Sequence, residues 1–190
     1  LNFGISGYNI IKKENVNIFL DLKLHDIPNT VKKGINAINR LKPLLTTIHI
    51  SGGDDMMKAS LISDRKYTKI LGVSILTSLD SKQTKKYYNE KRIELLVRKF
   101  VKQAKKNKLD GVVCSPREIK YVRNEAGNNF LIITPGIRLN KKIDSKDDQK
   151  RILTPEKAIK LGASYLVIGR PITESKNPLK TIKEINKSLD

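Results

Sequence analysis

Six short apolar runs recur along the chain, separated by longer amphipathic stretches. They are Ile18–Leu24 (IFLDLKL), Thr46–Ser51 (TTIHIS), Ile70–Thr77 (ILGVSILT), Gly111–Ser115 (GVVCS), Phe130–Thr134 (FLIIT) and Tyr165–Gly169 (YLVIG). Most are too continuously apolar to leave one face in water, which predicts parallel strands covered on both sides. Between them the spacing changes to that of helices. Ile93, Leu96, Val97, Phe100, Val101 and Ala104 form one apolar stripe. Ser115-Pro116-Arg117-Glu118 reads as a capping box with Pro at the first helical position. Thr154-Pro155 opens a helix that Gly162 closes. Asn177-Pro178 opens the last helix, with Leu179, Ile182, Ile185 and Leu189 expected to point inward, and Ile5–Glu14 reads as a helix before the first run.

Regular strand–helix alternation with no internal linker means one α/β domain over residues 1–190. A closed eight-stranded barrel of this kind takes about 250 residues. With 190 residues, six runs and a helix at its start, the chain reads as a (β/α)8 TIM barrel without its first two strands. The polar run Arg138–Arg151 (RLNKKIDSKDDQKR) follows the fifth strand. Long loops at that end of barrel strands often carry function.

Composition narrows the partners. Hydrophobic residues are 38% and charged residues 30% of the chain, the balance of a globular protein. No apolar run approaches the roughly 18–20 residues of a membrane span, so no membrane partner is expected. A single cysteine, Cys114, excludes an internal disulfide framework and fits a reducing cytoplasm. The formal charge of +19 raises the possibility of nucleic-acid binding. However, 29 of the 38 basic residues are lysines spread along the whole chain, and aromatics are only 5%. A nucleic-acid surface more often clusters arginine with aromatics, so no nucleic-acid partner is expected.

The first strand carries the most chemistry. Side chains alternate, so Phe19, Asp21 and Lys23 share one face, and Ile18, Leu20, Leu22 and Leu24 share the other. The aliphatic face should meet helices, leaving Asp21 and Lys23 pointing into the barrel near the strand's C-terminal end. Asp26 follows in the loop, where barrel enzymes keep their active sites. A self-satisfied ion pair is the structural alternative, but such pairs gain little net stability when buried. Two carboxylates flanking an ammonium hold it protonated and aimed, as a proton donor requires.

A second cluster reads as a phosphate site. Thr134-Pro135-Gly136-Ile137-Arg138 ends one strand and Ile168-Gly169-Arg170-Pro171 ends the last. Loops after the last two strands of such barrels frequently bind phosphate through backbone N–H groups, and Arg170 adds a forked, charged contact. Turn glycines and surface arginines are the structural alternative. His25 lies between Lys23 and Asp26, but alternation points it away from both. His49 and Cys114 sit inside apolar strands and read as core. No histidine–carboxylate set at metal-ligand spacing is present, and neither is a GxGxxG or Walker A loop.

Asp21-Leu22-Lys23-Leu24-His25-Asp26-Ile27-Pro28-Asn29-Thr30 resembles the DxKxxD signature of the orotidine 5′-phosphate decarboxylase family in its bacterial form. The resemblance continues through HISGG with Met56-Met57, Leu76-Thr77-Ser78, DGVVCS, TPGIR, DDQKRI and VIGRPIT. It implies a homodimeric eight-stranded barrel that converts orotidine 5′-phosphate to UMP and CO2, the last step of pyrimidine synthesis, with no metal or organic cofactor. By this resemblance Lys23 donates the proton to C6 of the pyrimidine, and Asp21 faces the departing carboxylate. Asp26 enters the neighbouring subunit's site, with Thr30 near the ribose phosphate. Ile27, Pro28 and Asn29 belong to the same substrate-binding run. Thr77 lies at the pyrimidine, Arg138 and Gln149 at the phosphate, and Gly169 and Arg170 complete the phosphate grip. Family members also carry an earlier strand with an Asp and another with a Lys of the charge network, both preceding the helix at Ile5. The 190-residue chain alone is therefore expected to be inactive and poorly stable. A Mg2+-dependent sugar-phosphate decarboxylase of the same suprafamily shares DxKxxD, but the DIPNT continuation argues against it. A fragment that keeps the signature without the activity is a further alternative.

Overall fold

The computed structural model describes residues 3–61, 66–139 and 153–189. Each of the six apolar runs contributes a strand: β1 (Phe19–Leu24), β2 (Leu45–His49), β3 (Lys69–Val73), β4 (Gly111–Val113), β5 (Leu131–Thr134) and β6 (Tyr165–Leu166). All pair in parallel, in the order β1-β2-β3-β4-β5-β6. Sequential order with a helix after nearly every strand is barrel topology, here a curled half-barrel.

The helices are α1 (Gly4–Lys13), α2 (Pro28–Leu41), α3 (Asp54–Ser60), α4 (Ser81–Tyr88), α5 (Ile93–Lys106), α6 (Ile119–Ala126), α7 (Pro155–Lys160), α8 (Arg170–Thr173) and α9 (Pro178–Lys187). Pro28, Pro155 and Pro178 each stand in the first turn, where a missing N–H costs nothing. The Glu118 carboxylate accepts the Ser115 N–H at 2.9 Å, which is the reaching-back half of a capping box. At α4 both halves form, with Asp80 accepting the N–H groups of Lys82 and Gln83 and the Gln83 side chain accepting the Asp80 N–H.

The two sides of the sheet bury different residues. Ile48, Ile70, Val112 and Ile132 pack outward against Val31 and Ile35 of α2, Val97 and Val101 of α5 and Ile119 and Val122 of α6. Each fully buried aliphatic side chain contributes about 1.5–3 kcal/mol by leaving water. Leu45, Leu71 and Ile133 face the concave side, with Phe19, Val113 and Leu131 packed on them. The α5 stripe is the one read from the sequence, with Leu96, Val97, Phe100, Val101 and Ala104 all buried.

The last helix departs from expectation. Ile185 is buried as read, and Ile182 and Leu189, each 38% exposed, line a hollow with it beside Ile159, Leu166 and Ile168, but Leu179 is 74% exposed. The inward positions are Thr181 and Ile185. The buried Thr181 hydroxyl is satisfied locally, donating to the Asn177 carbonyl at 3.1 Å and bonding Ser175 Oγ at 2.8 Å. Leu179 stands in the first turn of the helix, outside the set of residues that lines the hollow.

Candidate active site

The sheet is irregular at one place, and it is the chemically loaded one. Leu20 pairs with Thr46 and Leu24 with Ile48, so four residues along β1 match two along β2. Bulges of this kind re-aim side chains and are common beside active sites. Lys23 absorbs the irregularity with φ +50°, a left-handed conformation that costs a non-glycine residue about 1–3 kcal/mol. Its backbone N–H does not join the ladder and instead donates to Thr47 Oγ1 at 2.9 Å. Thr47 in turn bonds Asp21 Oδ1 at 2.7 Å, while Lys23 Nζ is ion-paired with Asp21 Oδ2.

Asp21 and Lys23 do share the concave face with Phe19, while Leu20, Leu22 and Leu24 pack towards the helices. The pair is not buried in the sheet's interior, however. Its side chains keep 38% and 41% of their exposure because they stand on the wall of an open cavity. The cavity is about 260 Å³ and is walled by Val73, Ile75, Leu76, Val113, Cys114, Pro135 and Val167, with Thr77 and Ser78 at its rim. Thr77, read as a pyrimidine contact, therefore lies on the same cavity as Asp21 and Lys23. An apolar wall opposite an ion pair lowers the local dielectric and strengthens the field of the ammonium.

Asp26 is placed differently. Its carboxylate accepts the neighbouring Ile27 N–H at 2.7 Å, so within one chain the carboxylate on Lys23 is that of Asp21. Asp26, Ile27, Pro28, Asn29 and Thr30 form an exposed run at the start of α2. His25 is exposed, with its ring centroid 5.1 Å from that of His49. His49 is half-buried at the end of β2 rather than core, since β2 ends where it meets His25. Burial first, then the charges of His25 and Lys23, push the His49 imidazole below its usual value of 6.5, while Asp21 opposes them. Cys114 is buried as expected and also borders the cavity.

The second cluster lies after β5 and β6. Gly136 turns the chain with φ +80°, a conformation that glycine alone adopts without strain. The Arg138 N–H donates to the Leu153 carbonyl at 3.0 Å, and Leu153 N–H to the Gly136 carbonyl at 3.3 Å. Arg138 and Leu153 are thereby held together, with Ile137 bridged to Leu153. Arg138 Nη1 also donates to the Ile137 carbonyl at 2.9 Å. Gly169 caps the four-residue α8, which begins with Arg170. A side chain added at Gly169 would meet nothing within 4 Å, so the backbone there is open to a ligand. Gln149 falls outside the described residues.

Sequence reading missed Thr47 and most of the apolar wall. The available signal was the pair Thr46-Thr47 at the centre of a buried strand, where two hydroxyls need partners.

The geometry agrees with what the chain resembles. Residues 1–185 match the model of the "Orotidine 5'-phosphate decarboxylase / HUMPS family". An orotidine 5′-phosphate decarboxylase of Wolbachia pipientis is 49% identical over 98% of this chain and 81% of its own length. That of Staphylococcus saprophyticus is 46% identical over 94% of this chain and 78% of its own. Among solved structures, orotidine 5′-phosphate decarboxylase from Lactobacillus acidophilus superposes with a TM-score of 0.81 at 34% identity. It covers 98% of this chain and 81% of that one. A match along nearly the whole chain, joined to a half-barrel that carries Asp21 and Lys23 on its concave face, places this protein in the orotidine 5′-phosphate decarboxylase family.

Proposed function

We propose that this protein converts orotidine 5′-phosphate to UMP and CO2, the last step of de novo pyrimidine synthesis, with residues 1–190 belonging to a single barrel domain. The observation that carries the reading is the Asp21–Lys23 pair on the wall of an apolar cavity, in a chain of this family. Breaking the bond from C6 to the carboxylate leaves an electron pair in the ring plane, which the π system cannot delocalise. The Lys23 ammonium stabilises that charge and supplies the proton to C6, then regains one from water. Asp21 holds Lys23 in place and faces the departing carboxylate, and the neutral CO2 that leaves relieves the repulsion between the two.

Thr77 supports this reading by its place at the rim of the same cavity. Arg138, Gly169 and Arg170 hold the phosphate, supported by the open backbone at Gly169, and Gln149 joins them. Phosphate binding far from C6 supplies energy that organises the site. The exposed run Asp26–Thr30, with its uncovered Ile27, supports a homodimer in which Asp26 and Thr30 enter the neighbouring site. The chemistry needs neither metal nor organic cofactor. The reaction belongs to the cytoplasm, and among the described residues no helix is long and apolar enough to cross a membrane.

The test is formation of UMP from orotidine 5′-phosphate by the protein made from its whole reading frame, with and without EDTA. Turnover that EDTA leaves intact is expected. Turnover of a sugar phosphate instead, lost with EDTA, would assign the Mg2+-dependent reaction. Mixing inactive Asp26→Ala and Lys23→Ala proteins should restore activity, because some hybrid dimers then hold one intact site. No recovery despite proven subunit exchange would put both residues in one subunit's site.

A further inference from the structure

Thr46 and Thr47 are adjacent, both fully buried, and both bonded to β1, yet they do different things. Thr46 Oγ1 donates to the Leu20 carbonyl at 2.9 Å, an ordinary stitch between two strands. Among the described residues the Thr47 hydroxyl bonds only the charged pair: it takes the Lys23 N–H at 2.9 Å and meets Asp21 Oδ1 at 2.7 Å. The proton positions follow from chemistry. A backbone N–H can only donate and a carboxylate can only accept, so Thr47 accepts from Lys23 and spends its single O–H on Asp21.

We propose that Thr47 is a positioning residue for the Asp21–Lys23 pair, a single hydroxyl that fixes both the carboxylate and the backbone from which the ammonium grows. This rests on the decarboxylase reading above. With Thr47 on Oδ1 and Lys23 Nζ on Oδ2, both oxygens of Asp21 are engaged and its plane is set. The same hydroxyl gives the Lys23 N–H the partner it lost at the bulge, which holds Lys23 at φ +50°. Without it, the N–H has to find another acceptor, the left-handed turn relaxes, and the ammonium swings away from C6. β2, which pairs with β1, supplies this support. Small displacements of a reacting group cost large factors in rate.

The test compares Thr47→Val, which keeps the shape and removes the hydroxyl, with Thr47→Ser, which keeps the hydroxyl. Thr46→Val serves as the control for loss of a buried hydroxyl from the same strand. Thr47→Val should lower kcat about 10- to 100-fold, the worth of a hydrogen bond to a charged group. KM should change less than about threefold, because the phosphate end that dominates binding is untouched. Thr47→Ser should stay within about threefold of the unaltered protein in kcat, and Thr46→Val should lose stability without a comparable loss of kcat. A second readout needs no turnover: hydrogen exchange at the Lys23 amide should accelerate in Thr47→Val and not in Thr47→Ser. Normal kcat in a folded Thr47→Val, or equal damage in Thr47→Ser, overturns the proposal while leaving the decarboxylase reading intact. If the unaltered protein does not decarboxylate orotidine 5′-phosphate, that reading fails, and amide exchange alone decides whether Thr47 anchors the pair.

Discussion

Among the described residues the sheet carries two aspartate–lysine pairs, one at each end of its strands. At the C-terminal end Asp21 and Lys23 come from one strand, stand on a cavity wall and depend on Thr47 for their geometry. At the N-terminal end Lys69 opens β3 and reaches Asp110, just before β4, at 3.5 Å. Asp110 is much the better covered of the two carboxylates, with 16% side-chain exposure, and its Oδ2 accepts the Ile70 N–H at 2.8 Å. Asp110 thus knits two strands together, whereas Asp21 aims an ammonium. Cavities do not separate the two ends, since the N-terminal end has one of about 310 Å³ lined by Tyr8, Lys12, Lys42 and Tyr67. What separates them is the backbone: β3 and β4 pair in unbroken register, while β1 is bulged and Lys23 is left-handed. In a barrel, chemistry belongs at the C-terminal end and stability at the other.

Removing the lysine of each pair breaks this contrast most sharply. Lys23→Ala should lower turnover by about 10²–10⁴-fold, the worth of a positioned proton donor. Its melting temperature should hardly move, because a pair this exposed contributes about 1 kcal/mol or less. Lys69→Ala should leave turnover per folded molecule unchanged. Equal losses of activity in the two variants would mean that the ends do not differ in role.

Arg170→Ala comes next, weakening substrate binding by about 1.5–3 kcal/mol if it grips the phosphate. Orotidine without its phosphate should scarcely register the change. Comparison of KM values for the two substrates checks this, and equal losses would make Arg170 structural.

Asp110→Ala tests the structural end. It leaves the Ile70 N–H without its acceptor, at about 1–3 kcal/mol. At about 2–4 °C per kcal/mol for a chain of this size, thermal melting should show a clear drop. Activity of the remaining folded protein should be normal; a selective loss of kcat would bring Asp110 into the chemistry.

The smallest effect concerns pH. The folded His49 imidazole titrates below its usual 6.5, so the unfolded chain takes up its proton first as pH falls. Stability contributed at that site is therefore present above pH 6.5 and lost as pH drops towards the folded value. His49→Gln should flatten that part of the dependence of melting temperature on pH. An unchanged profile would show that His49 is not the titrating group.

Much of this was legible in the sequence, for identifiable reasons. Continuous apolar runs such as FLIIT mark strands covered on both faces, and those strands appear where expected. Alternation along β1 correctly separated Asp21 and Lys23 from Leu20, Leu22 and Leu24, because the bulge leaves the two faces intact. The bulge itself was invisible, since it depends on a lysine, a residue with no preference for the left-handed region. Thr47 escaped notice because threonine is common in strands for reasons of shape alone. Leu179 was misplaced because helical spacing fixes which residues share a stripe but not how far along it other elements reach. His49 was taken as core because strand composition does not reveal that β2 ends there beside His25.

The proposed mechanism requires an ammonium at position 23 to protonate C6. Replacing Lys23 by cysteine and alkylating it with 2-bromoethylamine rebuilds an ammonium at nearly the same reach, and the unaltered protein treated alike controls for Cys114, which borders the same cavity. Production of UMP should be lost in Lys23→Cys and return in large part after alkylation. Full activity in the unalkylated variant, or none after alkylation of a correctly folded one, would contradict the claim.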